Sequence, residues 1–320
     1  MMRSLVILVF IFFYSASFGQ PNWLFIKEKK SEYTGPQWIY ENRAAFLINE
    51  AVFVNWNAGG TNSISGIIDL KTKLNYKDKF FVWNNDAHLR YGVNAQEDQE
   101  ARKTDDLFEV NSNLGYHSDD RSNWYYMARF NFRTQLTNGY KYPNTDEPIS
   151  KFMAPGYVFF GGGIEYGRNM EELSFYFSPL TLKGTFVLDE VLANAGSFGV
   201  RPAEYDDEGN ILVPGEQFRK EFGILLTNSY EMKLAKNIDV KNQLSLYSDY
   251  LNQFGNIDVD WRLDFNFKVN SFVKATFGSH LRYDDDVKTQ KPSEIEGEFD
   301  EAGAKVQWKQ FLGIGIAFDF

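Results

Sequence analysis

The chain has 320 residues, a formal net charge of −10, 17% aromatic content and no cysteine. That acidity argues against nucleic acid, which needs a basic footprint, and the missing cysteines exclude a disulfide framework or a lipidated cysteine. With 30 Phe and 18 Tyr, the composition is too aromatic for a disordered chain and suits strands that face a membrane.

Residues 1–19 have the layout of a secretory signal peptide: Arg3, an apolar run from Leu5 to Phe13, then Ser15, Ala16, Ser17 and Gly19. Cleavage is expected after Gly19, because the apolar run is too short for a membrane helix. Residues 20–43, QPNWLFIKEKKSEYTGPQWIYENR, read as a periplasmic leader. No second long apolar segment follows, so helical spans are not expected.

From Ala44 onward a period of two recurs. In IDVDWRLDFNFKV, residues 257–269, every odd position is apolar and every even position is polar or charged, the signature of a strand with one apolar face. The pattern predicts twelve strands: 44–55, 62–76, 79–94, 106–117, 123–137, 155–167, 172–188, 218–234, 238–250, 257–269, 272–283 and 306–320. Most exceed a soluble strand of about 5–6 residues and match the roughly 9–11 needed to cross a bilayer at a tilt.

Connections supply a second line of argument. Links at 77–78, 118–122, 168–171, 235–237 and 270–271 are short, whereas those near 95–105, 138–154, 189–217 and 284–305 are long. Those at 56–61 and 251–256 are medium. Short turns inside and longer loops outside are the habit of transmembrane barrels, and a sheet in lipid must close to satisfy its backbone. The fold class expected is therefore all-β: an antiparallel transmembrane β-barrel of about twelve strands over 44–320. Trp56, Trp83, Trp124, Tyr126, Tyr166, Tyr250 and Tyr283 are expected in interfacial girdles. Outer-membrane lipid is the implied surrounding.

The polar face then lines the lumen. Asp86, His88, Arg90, Arg129, Arg133 and Arg262 are expected to point inward, with Asp264, Lys268, Lys274, His280 and Arg282. Asp69, Lys71, Lys73, Glu109, Asp239 and Lys241 share that parity. Catalysis is not indicated: His88 and His280 sit among charges, and His117 and Ser118, as strand neighbours, face opposite ways. The acidic runs Asp206–Glu208 and Asp284–Asp286 do not have calcium-loop spacing. Gly59–Gly60 and Gly161–Gly163 do not have phosphate-loop context and suit a bend or close packing. No cofactor or metal is expected.

Several stretches carry a resemblance: NWNAGGTNS (55–63), SPLTLKGTFVLDEVLANAGSFGV (178–200), NIDVDWRLDFNFKVN (256–270), LRYDDD (281–286) and the closing FLGIGIAFDF. Together they resemble a Bacteroidota outer-membrane barrel family, domain of unknown function 3078. Leu182, ahead of Lys183, is bulkier than that pattern suggests. The resemblance implies an outer-membrane barrel and carries no activity or functional residues. The last ten residues also resemble the assembly signal of outer-membrane proteins, with Gly315, Phe318 and Phe320 in place and Gly313 where a polar residue is usual. This implies the barrel-assembly machinery as a partner. The functional expectation is a non-catalytic, porin-like or structural barrel; the alternatives are an accessory barrel bound to other outer-membrane proteins and, third, an outer-membrane hydrolase.

Overall fold

The computed structural model describes residues 35–52, 61–119, 122–168, 173–252, 254–284, 288–292 and 299–320. The signal peptide, leader residues 20–34, Trp56, Gly59–Gly60 and Asp285–Asp286 lie outside them. No described helix is long and apolar enough to cross a membrane.

Twelve strands close into one antiparallel barrel: β1 (Gln37–Ala51), β2 (Ser63–Lys77), β3 (Phe81–Gln96), β4 (Arg102–Tyr116), β5 (Trp124–Thr134) and β6 (Gly156–Arg168), then β7 (Leu173–Phe186), β8 (Phe218–Ala235), β9 (Ile238–Asp249), β10 (Asp258–Lys268), β11 (Val273–Tyr283) and β12 (Gln307–Asp319). Each strand pairs with its sequence neighbours, and β12 returns to β1 from Arg43↔Asp319 to Ile48↔Ile314. Asn42 and Phe320 extend the closure, each backbone N–H donating to the other's carbonyl at 2.9 and 3.0 Å.

The barrel is polar inside and apolar outside. Along β12 the outward Leu312, Ile314, Ile316 and Phe318 are 45–67% exposed, whereas the inward Gly313 and Ala317 are buried. Leaving side chains of that size in water would cost about 1.5–3 kcal/mol each; a hydrocarbon surround removes that cost. At the short-turn end Trp38 stacks near Tyr76 and Trp83, Phe81 near Tyr116, and Trp124 near Tyr166, making an aromatic girdle. Outward indole N–H groups are matched by hydroxyls or amides on the next strand: Trp83 to Ser112, Trp261 to Asn242 and Trp308 to Ser279.

Two sequence expectations need correction, and one loop carries an element that periodicity does not announce. β1 begins at Gln37, so residues 37–43 belong to the wall and not to a leader. The charges at Glu41 and Arg43 obscured this. They face inward, where Glu41 meets Lys73 at 3.1 Å. The long link expected at 95–105 shrinks to 97–101, because β3 and β4 keep pairing past an irregularity at Gly92/Val93. A short helix, α1 (Glu190–Asn194), interrupts the loop after β7; Asp189 caps it by accepting the Leu192 N–H at 3.1 Å. Around α1 a small apolar cluster of Ala154, Val187, Leu192, Ala193 and Val200 joins the loops after β5 and β7.

One irregularity decides which residues face the lumen. Between Ser178 and Leu180, β7 has one residue more than either neighbour: Gly162 pairs with Leu180 but Ile164 with Phe177, and Gly223 pairs with Thr181 but Leu225 with Ser178. This is a β-bulge at Pro179, whose missing N–H could not serve a ladder. The freed groups find partners, as Tyr250 Oη donates to the Pro179 carbonyl and Ser178 Oγ to that of Gly162. Inward residues are Ser174, Tyr176 and Ser178 before the bulge, then Thr181, Lys183 and Thr185 after it, all buried. The close approach explains the glycines opposite: a Cβ on Gly163 would overlap the Phe177 carbonyl, and one on Gly161 would lie 2.6 Å from Thr181 Oγ1.

Candidate functional site

The lumen holds a cavity of about 910 Å³, lined by every strand except β1. Among the described residues none from 187–217 lines it. What narrows it is the wall itself. Opposing strands reach each other through long charged side chains, and the inward parity of each strand puts them there.

Asp260 on β10 is the centre of one network. Its carboxylate meets Arg133 at 3.0 Å, His280 at 2.9 Å, Arg262 at 3.4 Å and Arg282 at 3.6 Å. Arg262 also reaches Glu109 on β4 at 3.2 Å. β4 and β10 stand opposite each other in the ring of twelve, so this pair spans the lumen. Glu109 accepts from Asn131, which also donates to Asn111, and Asn111 donates to Asp86. Tyr157 lies beside the guanidinium groups of Arg133 and Arg282.

A second network crosses beside it. Arg90 meets Asp105 at 2.8 Å and stacks on the Phe311 ring at 4.1 Å. Lys309 on β12 joins Asp105 on β4 at 2.8 Å. Nearer the loops, Lys183 lies 2.8 Å from Asp258, 3.3 Å from Glu221 and 3.7 Å from Asp284. Deeper in, Arg129 pairs with the buried Glu165 at 2.6 Å and covers the Tyr176 ring. Such pairs are weak evidence for stability, since desolvation offsets attraction, but they fix side chains in one arrangement.

Of the residues expected to point inward, Asp86, His88, Arg90, Arg129, Arg133, Arg262, Asp264, His280 and Arg282 line the cavity. Lys268 and Lys274 pair instead near the short-turn end, with Asp239 at 2.9 Å and Asp319 at 2.6 Å. Asp258, Asp260, Glu165 and Glu221 were not singled out from sequence, although strand parity marks the first two. Lys183 was unreadable without the bulge, which shifts its parity. The histidines are held by acceptors: His88 by Asp69, His280 by Asp260, and His117 by the Asp119 carbonyl. The cross-strand neighbours of His88 are Lys71 and Glu109, and those of His280 are Arg262 and Lys309. No nucleophile stands in those positions.

Outside the wall, Lys151 meets Asp189 at 2.5 Å. That hydrogen bond holds the Asp189 carboxyl below the usual carboxylate range, against the opposing effect of burial. Asp206 accepts from the Glu208 and Asn210 backbone N–H groups, so its acidic run closes its own turn. Among the described residues no group of three or more His, Asp or Glu is placed to hold a metal ion.

The closed pairing, outward apolar belt and charged lumen define a transmembrane β-barrel. Residues 48–140 match the family model described as "Protein of unknown function (DUF3078)". That span includes the 55–63 stretch and runs from the end of β1 past β5. Among curated proteins no sequence matches the chain. Similar solved structures include an outer membrane channel from Pseudomonas putida F1, 12% identical over 92% of this chain and 100% of that one, with a TM-score of 0.40. The translocator domain of autotransporter NalP from Neisseria meningitidis is 9% identical over 92% and 90%, with a TM-score of 0.35. The NanC porin is 9% identical over 87% and 99%, also at 0.35. These likenesses are distant; the barrel class stands on the strand pairing and the belt.

Proposed function

We propose that the protein is a non-catalytic outer-membrane β-barrel that passes small polar solutes passively through a lumen narrowed by its own wall. One observation carries this reading: a charged cavity of about 910 Å³ persists inside a closed barrel while Arg262–Glu109 and Lys309–Asp105 bridge non-adjacent strands. Such a lumen admits water and small polar molecules and rejects bulky ones. Outer-membrane residence follows from the barrel architecture and the signal-peptide pattern, and the aromatic terminus supports delivery by the barrel-assembly machinery. Purified folded barrel in planar bilayers should give small, discrete conductance steps. Silence over a range of voltages and salts would remove the transport role.

A second reading, an accessory subunit of a larger outer-membrane complex, is favoured by the cap formed around α1. Its Leu188, Val191 and Leu212 are exposed although the cap has an apolar cluster of its own. Crosslinking in intact envelopes should then recover a stoichiometric partner, and recovery of the barrel alone would dismiss it.

A further inference from the structure

Most of the cavity's charges are locked. Of the ten Lys and Arg side chains lining it, eight hold ion pairs, and among the described residues Lys71 and Lys241 hold none. Of the lining carboxylates, Asp86 and Asp264 likewise have no ion pair within 4 Å among the described residues. These four groups are not scattered. Lys71 on β2 and Asp86 on β3 are diagonal neighbours, the direct cross-strand partners being His88 for Lys71 and Lys73 for Asp86, whereas Lys241 and Asp264 are direct cross-strand partners on β9 and β10. The two doublets stand on opposite sides of the ring. They sense each other: Lys71 is within electrostatic reach of Lys241 and Asp264, and Asp86 of Lys241.

Other charges face this region but are engaged. Asp69 is held by His88 and Arg90, and Lys73 by Glu41. Asp86 does accept one hydrogen bond, from Asn111. Arg43 is the direct cross-strand neighbour of Lys71, a like-charge juxtaposition that is unfavourable unless something intervenes. Its Nε is buried without a hydrogen-bond partner. Amides at Asn84, Asn113 and Gln243 line the same cavity.

We infer that the doublets Lys71/Asp86 and Lys241/Asp264 form a weak lumenal binding site for small zwitterions, solutes carrying both a carboxylate and an ammonium group, such as amino acids or dipeptides. A solute of one sign would satisfy one member of each doublet and repel the other. A zwitterion complements both, with its carboxylate toward the lysines and its ammonium toward the aspartates. This inference rests on a lumen that solutes can enter and deepens that reading by naming the solute class.

The test is a binding measurement that does not depend on conduction. Folded full-length barrel in detergent is titrated with glycylglycine, acetate or ethylammonium at equal ionic strength, read by saturation-transfer NMR. Glycylglycine should bind more tightly than either single-sign probe. The Lys71→Gln/Lys241→Gln and Asp86→Asn/Asp264→Asn double variants should each lose that preference, while Arg201→Gln, in the external loop, keeps it. Equal binding of all three probes by the wild type would overturn the inference even if a variant failed to fold. So would an unchanged preference in both double variants. Binding by a barrel that does not conduct would leave the site standing and count against passive transport alone.

Discussion

Lys183 places one ammonium among the carboxylates of Asp258, Glu221 and Asp284, with only 6% of its side chain exposed. Removing one partner of a buried pair leaves its charges uncompensated, at a cost of about 3–5 kcal/mol. Lys183→Met should therefore lower the denaturant midpoint of the folded barrel in detergent, and an unchanged midpoint would contradict the ion network as drawn. Asp189 gives a pH-dependent counterpart outside the membrane. Its folded pKa lies below the ordinary value, so its contribution is present above the ordinary carboxylate range and is lost as pH falls through the folded pKa. Amide protection factors across 188–194, corrected for intrinsic exchange, should fall on acidification in the wild type, and Asp189→Asn should abolish that pH dependence. If the variant retained it, another group would be responsible. At this scale the sequence is legible by parity alone: Arg133, Arg262 and Arg282 are readable as inward, but the Asp260–Arg133 pair is not, because it joins residues 127 positions apart across the lumen.

Among elements, β7 shows how one residue redirects a strand. Deleting Pro179 would remove the bulge and leave Ser178, Thr181, Lys183 and Thr185 in one unbroken inward alternation, since Leu180 would then be the single outward residue between Ser178 and Thr181. Pairing Pro179 in a regular ladder would instead turn Lys183 toward lipid, at about 2–4 kcal/mol near the midplane, and part it from Glu221. The deletion should therefore preserve heat-modifiable migration of the folded barrel on gels. Loss of the folded band would show that the bulge does more than reset parity. The break in alternation at Ser178–Pro179 is visible in the sequence, yet without neighbours it cannot be told from a strand end. β1 was the other element obscured, because alternation of Trp38 and Tyr40 with Glu41 and Arg43 resembles a charged leader until β2 and β12 supply partners. β12, by contrast, reads cleanly to its last residue, and Phe320 still pairs with Asn42. Deleting Phe320 should lower outer-membrane levels more than Lys241→Gln does; equal levels would dismiss its role in assembly.

For the whole molecule, strand number and the lipid-facing surface followed from periodicity, as did the loop alternation apart from the shortened link at 97–101, because a bilayer imposes length, parity and closure on every strand. The state of the lumen did not, since it depends on how far side chains reach across a ring whose geometry no single strand encodes. On the proposed reading, wall-to-wall pairs around Asp260 set the width of a conducting path. Single-channel conductance of the wild type beside Arg133→Gln/Arg262→Gln tests it most directly. Shortened, neutral side chains should raise the unit conductance severalfold and reduce any anion preference. A wild type that conducts as a wide pore, or a double variant whose steps match the wild type, would contradict it.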